Sequence, residues 1–167
     1  QAGKEPAPIE MDPRINVVGL KSDLGLLSNL LVHQLGRPVA HTAQLKELLA
    51  PGKFDVIWYH NSSLIGGPGL FNLGDPDAVR IYEAHEHWLI CPTHVLWKEN
   101  KEVCEERACL KCQIDYRRPP QLWRWSDKIN REAHHVDAFI AKSRFSRDKH
   151  SAFGFKPEME VVPYFLP

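Results

Sequence analysis

The stretch YEAHEHWLICPTHVLW, Tyr82 to Trp97, carries from His85 onward three histidines, a glutamate and a cysteine, where an apolar run ends. These residue types allow three chemistries. An imidazole beside a carboxylate can act as general base or orient a substrate hydroxyl. The His-x-His of His85 and His87 can bind a metal, although residues two apart share a face only while the strand persists. The third reading is a structural, hydrogen-bonded histidine. His85 and Glu86 are the candidate catalytic pair.

The four cysteines, Cys91, Cys104, Cys109 and Cys112, all fall in one segment with the spacing C-x12-C-x4-C-x2-C. Four thiolates suit a closed tetrahedral zinc site, which staples a fold and has no open position for chemistry. The charged segment around them has little core of its own and would gain from a metal clip. Two disulfides, clustered free thiols, an iron–sulfur cluster, or His94 replacing one cysteine are the alternatives.

The elements that must position these groups follow from periodicity. RINVVGL, Arg14 to Leu20, is a β-branched apolar run expected to form a strand buried on both faces. Ser22 and Asp23 can cap a helix carrying Leu24, Leu27, Leu30, Leu31 and Leu35, ended by Gly36. RPVAH reads as a short second strand, followed by a helix over TAQLKELLA. FDVIWYH, VRIYEAH, DAFIAKS and MEVVPYF read as further strands. PPQLWRWSDKINREAHHV and SRFSRDKHSAFGF read as helices, the latter between a serine start and Gly154.

Alternating strands and helices imply βαβ units. The expected fold class is α/β, a Rossmann-like parallel sheet flanked by helices, with a cysteine-rich loop insertion over residues 91–115. Ligands of such sheets bind beyond the carboxyl ends of the strands. His60, Asn61, His85, Glu86, Ser143, Arg144 and the residues through Gly25 should therefore converge on one rim.

Composition narrows the partners. Lys+Arg and Asp+Glu both number 21, so the formal charge is zero, which argues against nucleic acid as a partner. No apolar run is long enough to span a bilayer. Residues 1–13 lack a signal peptide's apolar core and read as a flexible lead, so the expected compartment is the cytoplasm. The glycine-rich NSSLIGGPGLFNLG matches no nucleotide-binding loop; it is either an ordinary glycine turn or a mobile loop over a cleft. YRRPPQLWRW has the makings of a surface for sugars, bases or peripheral contact with anionic membrane headgroups, or of a solvated loop leading into a half-buried helix.

The order of these motifs resembles the N-terminal half of a GT-B glycosyltransferase of family 4. FDVIWYHN is similar to the family's strand ending in His-Asn. IYEAHEHWLICP is similar to its strand ending in His-Asp/Glu, followed in one subgroup by Cys-Pro. CEERACLKC matches that subgroup's cysteine tail. VDAFIAKSRFSRDKHSAFGF resembles the strand, serine and helix that follow, and MEVVPYFLP the strand leading to the interdomain linker. The resemblance spans residues 14–167.

It implies an acceptor-binding domain of a retaining, nucleotide-sugar-dependent transferase, generally independent of metal. A second, donor-binding domain with paired glutamates lies outside this sequence, so the isolated domain should transfer sugar poorly or not at all. The resemblance places His85 near the reacting sugar and has Glu86 orient it. His60, Asn61 and Ser143 would line the acceptor side, and Arg144 belongs to the same rim. Where the family often has a diglycine loop near the donor phosphates, this chain reads KSDLGLL, with Gly25 alone. The alternative is a stand-alone, zinc-stapled binding module for a glycan or protein, acting through Trp123 and Trp125. A weaker third reading, phosphoester or acyl chemistry by Ser143 with His85, lacks the G-x-S-x-G elbow.

Overall fold

The computed structural model describes residues 12–22 and 24–165. Four strands form one parallel sheet in the order β1-β2-β5-β6: β1 Val56–His60, β2 Val79–Ala84, β5 Ala138–Ala141 and β6 Met159–Val161. Parallel neighbours need crossover connections. That from β1 to β2 contains a 3-10 turn, Gly67–Leu70; that from β5 to β6 is helix α5, Arg144–Ala152. The long crossover from β2 to β5 holds a small hairpin, β3 Trp97–Lys98 with β4 Glu102–Val103. Helices α3 Cys109–Asp115 and α4 Lys128–Ala133 follow it. The chain is therefore α/β, a four-stranded parallel sheet flanked by helices.

Side chains alternate along a strand, so each strand offers one set to each face. Ile57, Tyr59, Tyr82, Ala84, Phe139, Ala141 and Met159 form one buried set, packed with Phe71, Trp88, Leu89, Phe153 and Phe155. Phe71 sits edge-on to Tyr82 and Phe139, at centroid distances of 5.4 and 6.5 Å. The opposite face is barer: Val56, Trp58 and Val79 remain 50%, 52% and 48% exposed. FDVIWYH is thus a strand buried on alternate residues, not throughout.

Several sequence expectations are corrected. Residues 15–22 form no strand, and Ile15, Val17 and Val18 are exposed. A β-branched run acquires strand structure only by pairing, and among the described residues β1 has β2 as its sole partner. RPVAH folds as a 3-10 turn, Val39–His41. The expected single helix over PPQLWRWSDKINREAHHV is broken into a 3-10 turn, Leu122–Trp125, and α4. The break follows from one tertiary bond and one local one: the Trp123 indole N–H donates to His33 O at 2.8 Å, and Ser126 Oγ donates to Trp123 O three residues back. The expected last strand ends early, because Pro163 has no N–H for the ladder. Asp23 lies outside the described residues. Helix α1, Leu26–Leu35, has Gly25 at its N-cap and ends on Gly36 at φ 60°, the left-handed stop expected of glycine.

The glycine loop packs rather than covers a cleft. Gly67 has φ 56°, and a Cβ there would stand 2.8 Å from Gly36 Cα. Gly69 N–H donates to Gly36 O at 2.9 Å. These glycines allow the loop to lie against the end of α1.

Helix α5 begins where expected, with Ser143 Oγ accepting from Ser146 N–H at 3.1 Å. It buries His150 completely; Nδ1–H donates to Ser146 O at 2.7 Å and Nε2 has no partner. Burial lowers the pKa of His150 to about 4, against an unfolded value of about 6.5. Both states are neutral above that range. As pH falls through it the unfolded chain takes up the proton first, so stability drops until pH reaches about 4. The expected loss is about 3 kcal/mol, at 1.36 kcal/mol per pKa unit. His87, stacked on His150 at 5.5 Å and likewise lowered by burial, acts in the same direction. Urea unfolding between neutral and acidic pH should show this slope, and His150→Phe should flatten it.

Candidate functional site

Parallel register brings the rim together. His60, the last residue of β1, pairs with Glu83 of β2. His85 lies two residues beyond Glu83 and keeps to the same side. The outcome is a compact polar cluster. His60 Nδ1 and His85 Nε2 are 2.7 Å apart, a hydrogen bond in which one ring donates and the other accepts. Glu83 Oε2 lies 3.8 Å from His60 Nδ1, and Glu83 Oε1 lies 3.6 Å from His85 Nε2. Lys142, one residue past β5, places its ammonium on Glu83 Oε1. Tyr164, after β6, bonds through its hydroxyl to His85 Nδ1 at 2.5 Å and stacks on that ring.

The electrostatics follow from this packing. Burial alone would raise the Glu83 carboxyl, but the Lys142 hydrogen bond and charge, aided by His60 and His85, hold it below the usual carboxylate range. Partial burial lowers His60, opposed by the Glu83 charge. The cluster thus contains one ionised carboxylate, the Lys142 ammonium and two hydrogen-bonded imidazole rings. His60 and His85 remain partly open to solvent, whereas Glu83 is buried.

The structure brings His60 and His85 into one cluster, and the carboxylate beside His85 there is Glu83. Glu86 instead bonds His94, Oε1 to Nδ1 at 2.7 Å. This also engages His94, which sequence offered as a substitute cysteine. Asn61 follows His60 at φ 45° and is exposed. The Ser143 hydroxyl is used as the α5 cap, which leaves it poorly placed as a nucleophile. Arg144 is exposed, with no ion pair among the described residues. Gly25 has φ 50° and open space around it; its backbone bonds Ser22 and Ser28, and it has no bond to the rim among the described residues.

The cysteines form a second centre. All four are free thiols and line one small gap of about 10 Å³, walled by Ile90, Leu96, Trp97 and Phe153. A gap of roughly this size admits a single small occupant. Glu99 N–H points at Cys112 Sγ at 3.5 Å, and Cys91 Sγ bonds Thr93 Oγ1 at 3.2 Å. The donor set suits zinc, but the sulfurs would have to draw closer. Among the described residues, the triad His60, Glu83, His85 is the group whose ligand atoms already lie within 4.8 Å of one another.

Arg124 lies next to these thiols, half-buried between Trp88 and Trp123, with its Cζ 4.5 Å from the Trp123 ring. It donates to Trp88 O and to Gln121, and no carboxylate pairs with it among the described residues. Burial lowers its pKa to about 10, and negative charge on Cys91 or Cys109 would act against that. Trp123 is buried, so of the two tryptophans sequence offered for binding, only Trp125 is exposed. A cleft of about 230 Å³ runs beside Arg124 and Trp125, but none of the rim residues lines it.

No helix among the described residues is long and apolar enough to cross a membrane. No protein-family model, no curated protein and no solved structure matches this chain.

Proposed function

We propose that this chain is the acceptor-binding domain of a retaining glycosyltransferase that draws its sugar from a nucleotide-sugar. The observation that carries the reading is the His60–His85 hydrogen bond of 2.7 Å at the carboxyl ends of adjacent parallel strands. That is where open α/β sheets receive ligands. An acceptor hydroxyl seated against His85 would be oriented by the ring, and its proton held by the pair. Glu83 takes the orienting part that sequence gave to Glu86. The exposed rings of Trp58 and Tyr164 offer flat apolar surfaces beside the pair for a sugar face. Arg144, exposed and with no ion pair among the described residues, follows Ser143 at the rim as a cation for a phosphate.

Four cysteines at one gap, with a half-buried guanidinium beside them that has no carboxylate partner among the described residues, support a structural zinc whose thiolates the cation would offset. The donor-binding half belongs to a second domain, in the same polypeptide or a partner. The cytoplasm remains the proposed compartment.

The test is to incubate the native full-length gene product with a panel of nucleotide-sugars and acceptors. Mass spectrometry would read the product and NMR its anomeric configuration. Transfer with retention is expected. Glycan binding without turnover of any donor would favour instead the binding module, for which the cleft beside Trp125 is the specific observation. Inversion would overturn the reading outright.

A further inference from the structure

Borderline divalent ions such as Zn²⁺, Co²⁺ and Ni²⁺ favour imidazole and carboxylate ligands. Around zinc, ligand atoms at their usual bond lengths and in tetrahedral directions stand roughly 3.4 Å from one another. In the rim the two ring nitrogens are 2.7 Å apart; Glu83 sets one carboxylate oxygen 3.6 Å from His85 Nε2 and the other 3.8 Å from His60 Nδ1, and one ligand atom from each residue lies within 4.8 Å of the other two. The geometry points to a divalent transition-metal site formed by His60 Nδ1, His85 Nε2 and a Glu83 carboxylate oxygen, with its remaining positions open toward the rim.

Two features beyond the spacing favour it. The first is the outer partner of His85. A metal-bound histidine is held in one tautomer by the bond its other nitrogen makes. Here Nδ1–H can donate to the Tyr164 hydroxyl, leaving the Nε2 lone pair directed at the centre. The second is the buried carboxylate, which already attracts a cation: the Lys142 ammonium rests on Glu83. Lys142 is therefore the competitor that an incoming ion must displace. Three protein ligands with open positions describe a site for a water or a substrate oxygen, unlike the closed cysteine centre.

This inference does not rest on the sugar-transfer reading. The same triad could hold an ion in a protein that transfers nothing, and the histidines could serve transfer as free imidazoles.

Co²⁺ titration of the whole chain, followed by visible absorption, separates the two centres. Thiolate ligation gives intense charge-transfer bands, whereas nitrogen and oxygen ligands give weak ligand-field bands alone. One equivalent bound without thiolate charge transfer is expected. His60→Ala and His85→Ala should each weaken it at least tenfold, with circular dichroism unchanged. Lys142→Met, which removes the competing ammonium, should tighten it at least tenfold. Co²⁺ uptake showing only thiolate bands would overturn the site, as would equal affinity in His60→Ala, a variant that removes a partly exposed side chain and leaves the core intact.

Discussion

His85→Ala in the full-length protein is expected to lower the proposed sugar transfer by about 10²–10⁴-fold, the range a positioned proton-transfer group contributes, while the fold survives. The ring sits past the end of β2 and is partly open to solvent, so its removal leaves no core cavity. What goes is a chain of hydrogen bonds from Tyr164 through His85 to His60. Melting temperature should therefore move little, and kcat should carry most of the loss. A variant with near wild-type turnover would return His85 to a structural part. Exhaustive chelation of the wild type adds a second axis. If transfer survives it, His85 acts as a free imidazole; if transfer falls with it, His85 acts as a ligand.

How much of this could be read from residues alone depends on whether the deciding contacts were local. Helix α5 was legible because Ser143 and Gly154 punctuate it within its own sequence. The strands β1, β2 and β5 were legible as short apolar runs, and with them the rim position of His60 and His85. The strand expected at residues 14–20 was not formed, since strand structure depends on a partner elsewhere. The broken helix was equally hidden: the Trp123–His33 bond that shapes it links residues far apart in sequence.

The carboxylate that the structure sets beside His85 could have been found by a rule that the sequence does contain. Neighbours along a strand point to opposite faces, while residues two apart share one. By that rule Glu83, not Glu86, belongs with His85. The adjacency of His85 and Glu86 drew attention away from it. Tyr164 carried no comparable signal, because its place at the rim depends on how the chain leaves β6.

Cys109→Ser/Cys112→Ser should abolish zinc binding and release the segment from residue 97 to residue 115. Its hairpin strands are two residues each, and Val103, Leu110 and Ile114 are exposed, so burial alone offers this segment little. Structural zinc contributes about 10–16 kcal/mol in small zinc-finger peptides, ample to order a segment of this kind. The sheet has its own core in Tyr82, Phe139 and Phe71, and should stay folded. Hydrogen exchange should consequently become fast between residues 97 and 115 and remain slow in β1, β2 and β5. Chelation of the wild type should reproduce the pattern, and the double variant should no longer respond to chelator. Arg124 sharpens the expectation. Even a half-buried cation without a counter-charge loses hydration, and a zinc bound by four thiolates carries the negative charge that would offset it. Stripping the metal should therefore loosen the packing of Arg124 against Trp88 and Trp123, visible as a change in tryptophan fluorescence. A wild-type protein prepared under reducing conditions that holds no zinc, yet protects residues 97–115 fully, would remove the clip and leave the unpaired guanidinium as a feature of packing alone.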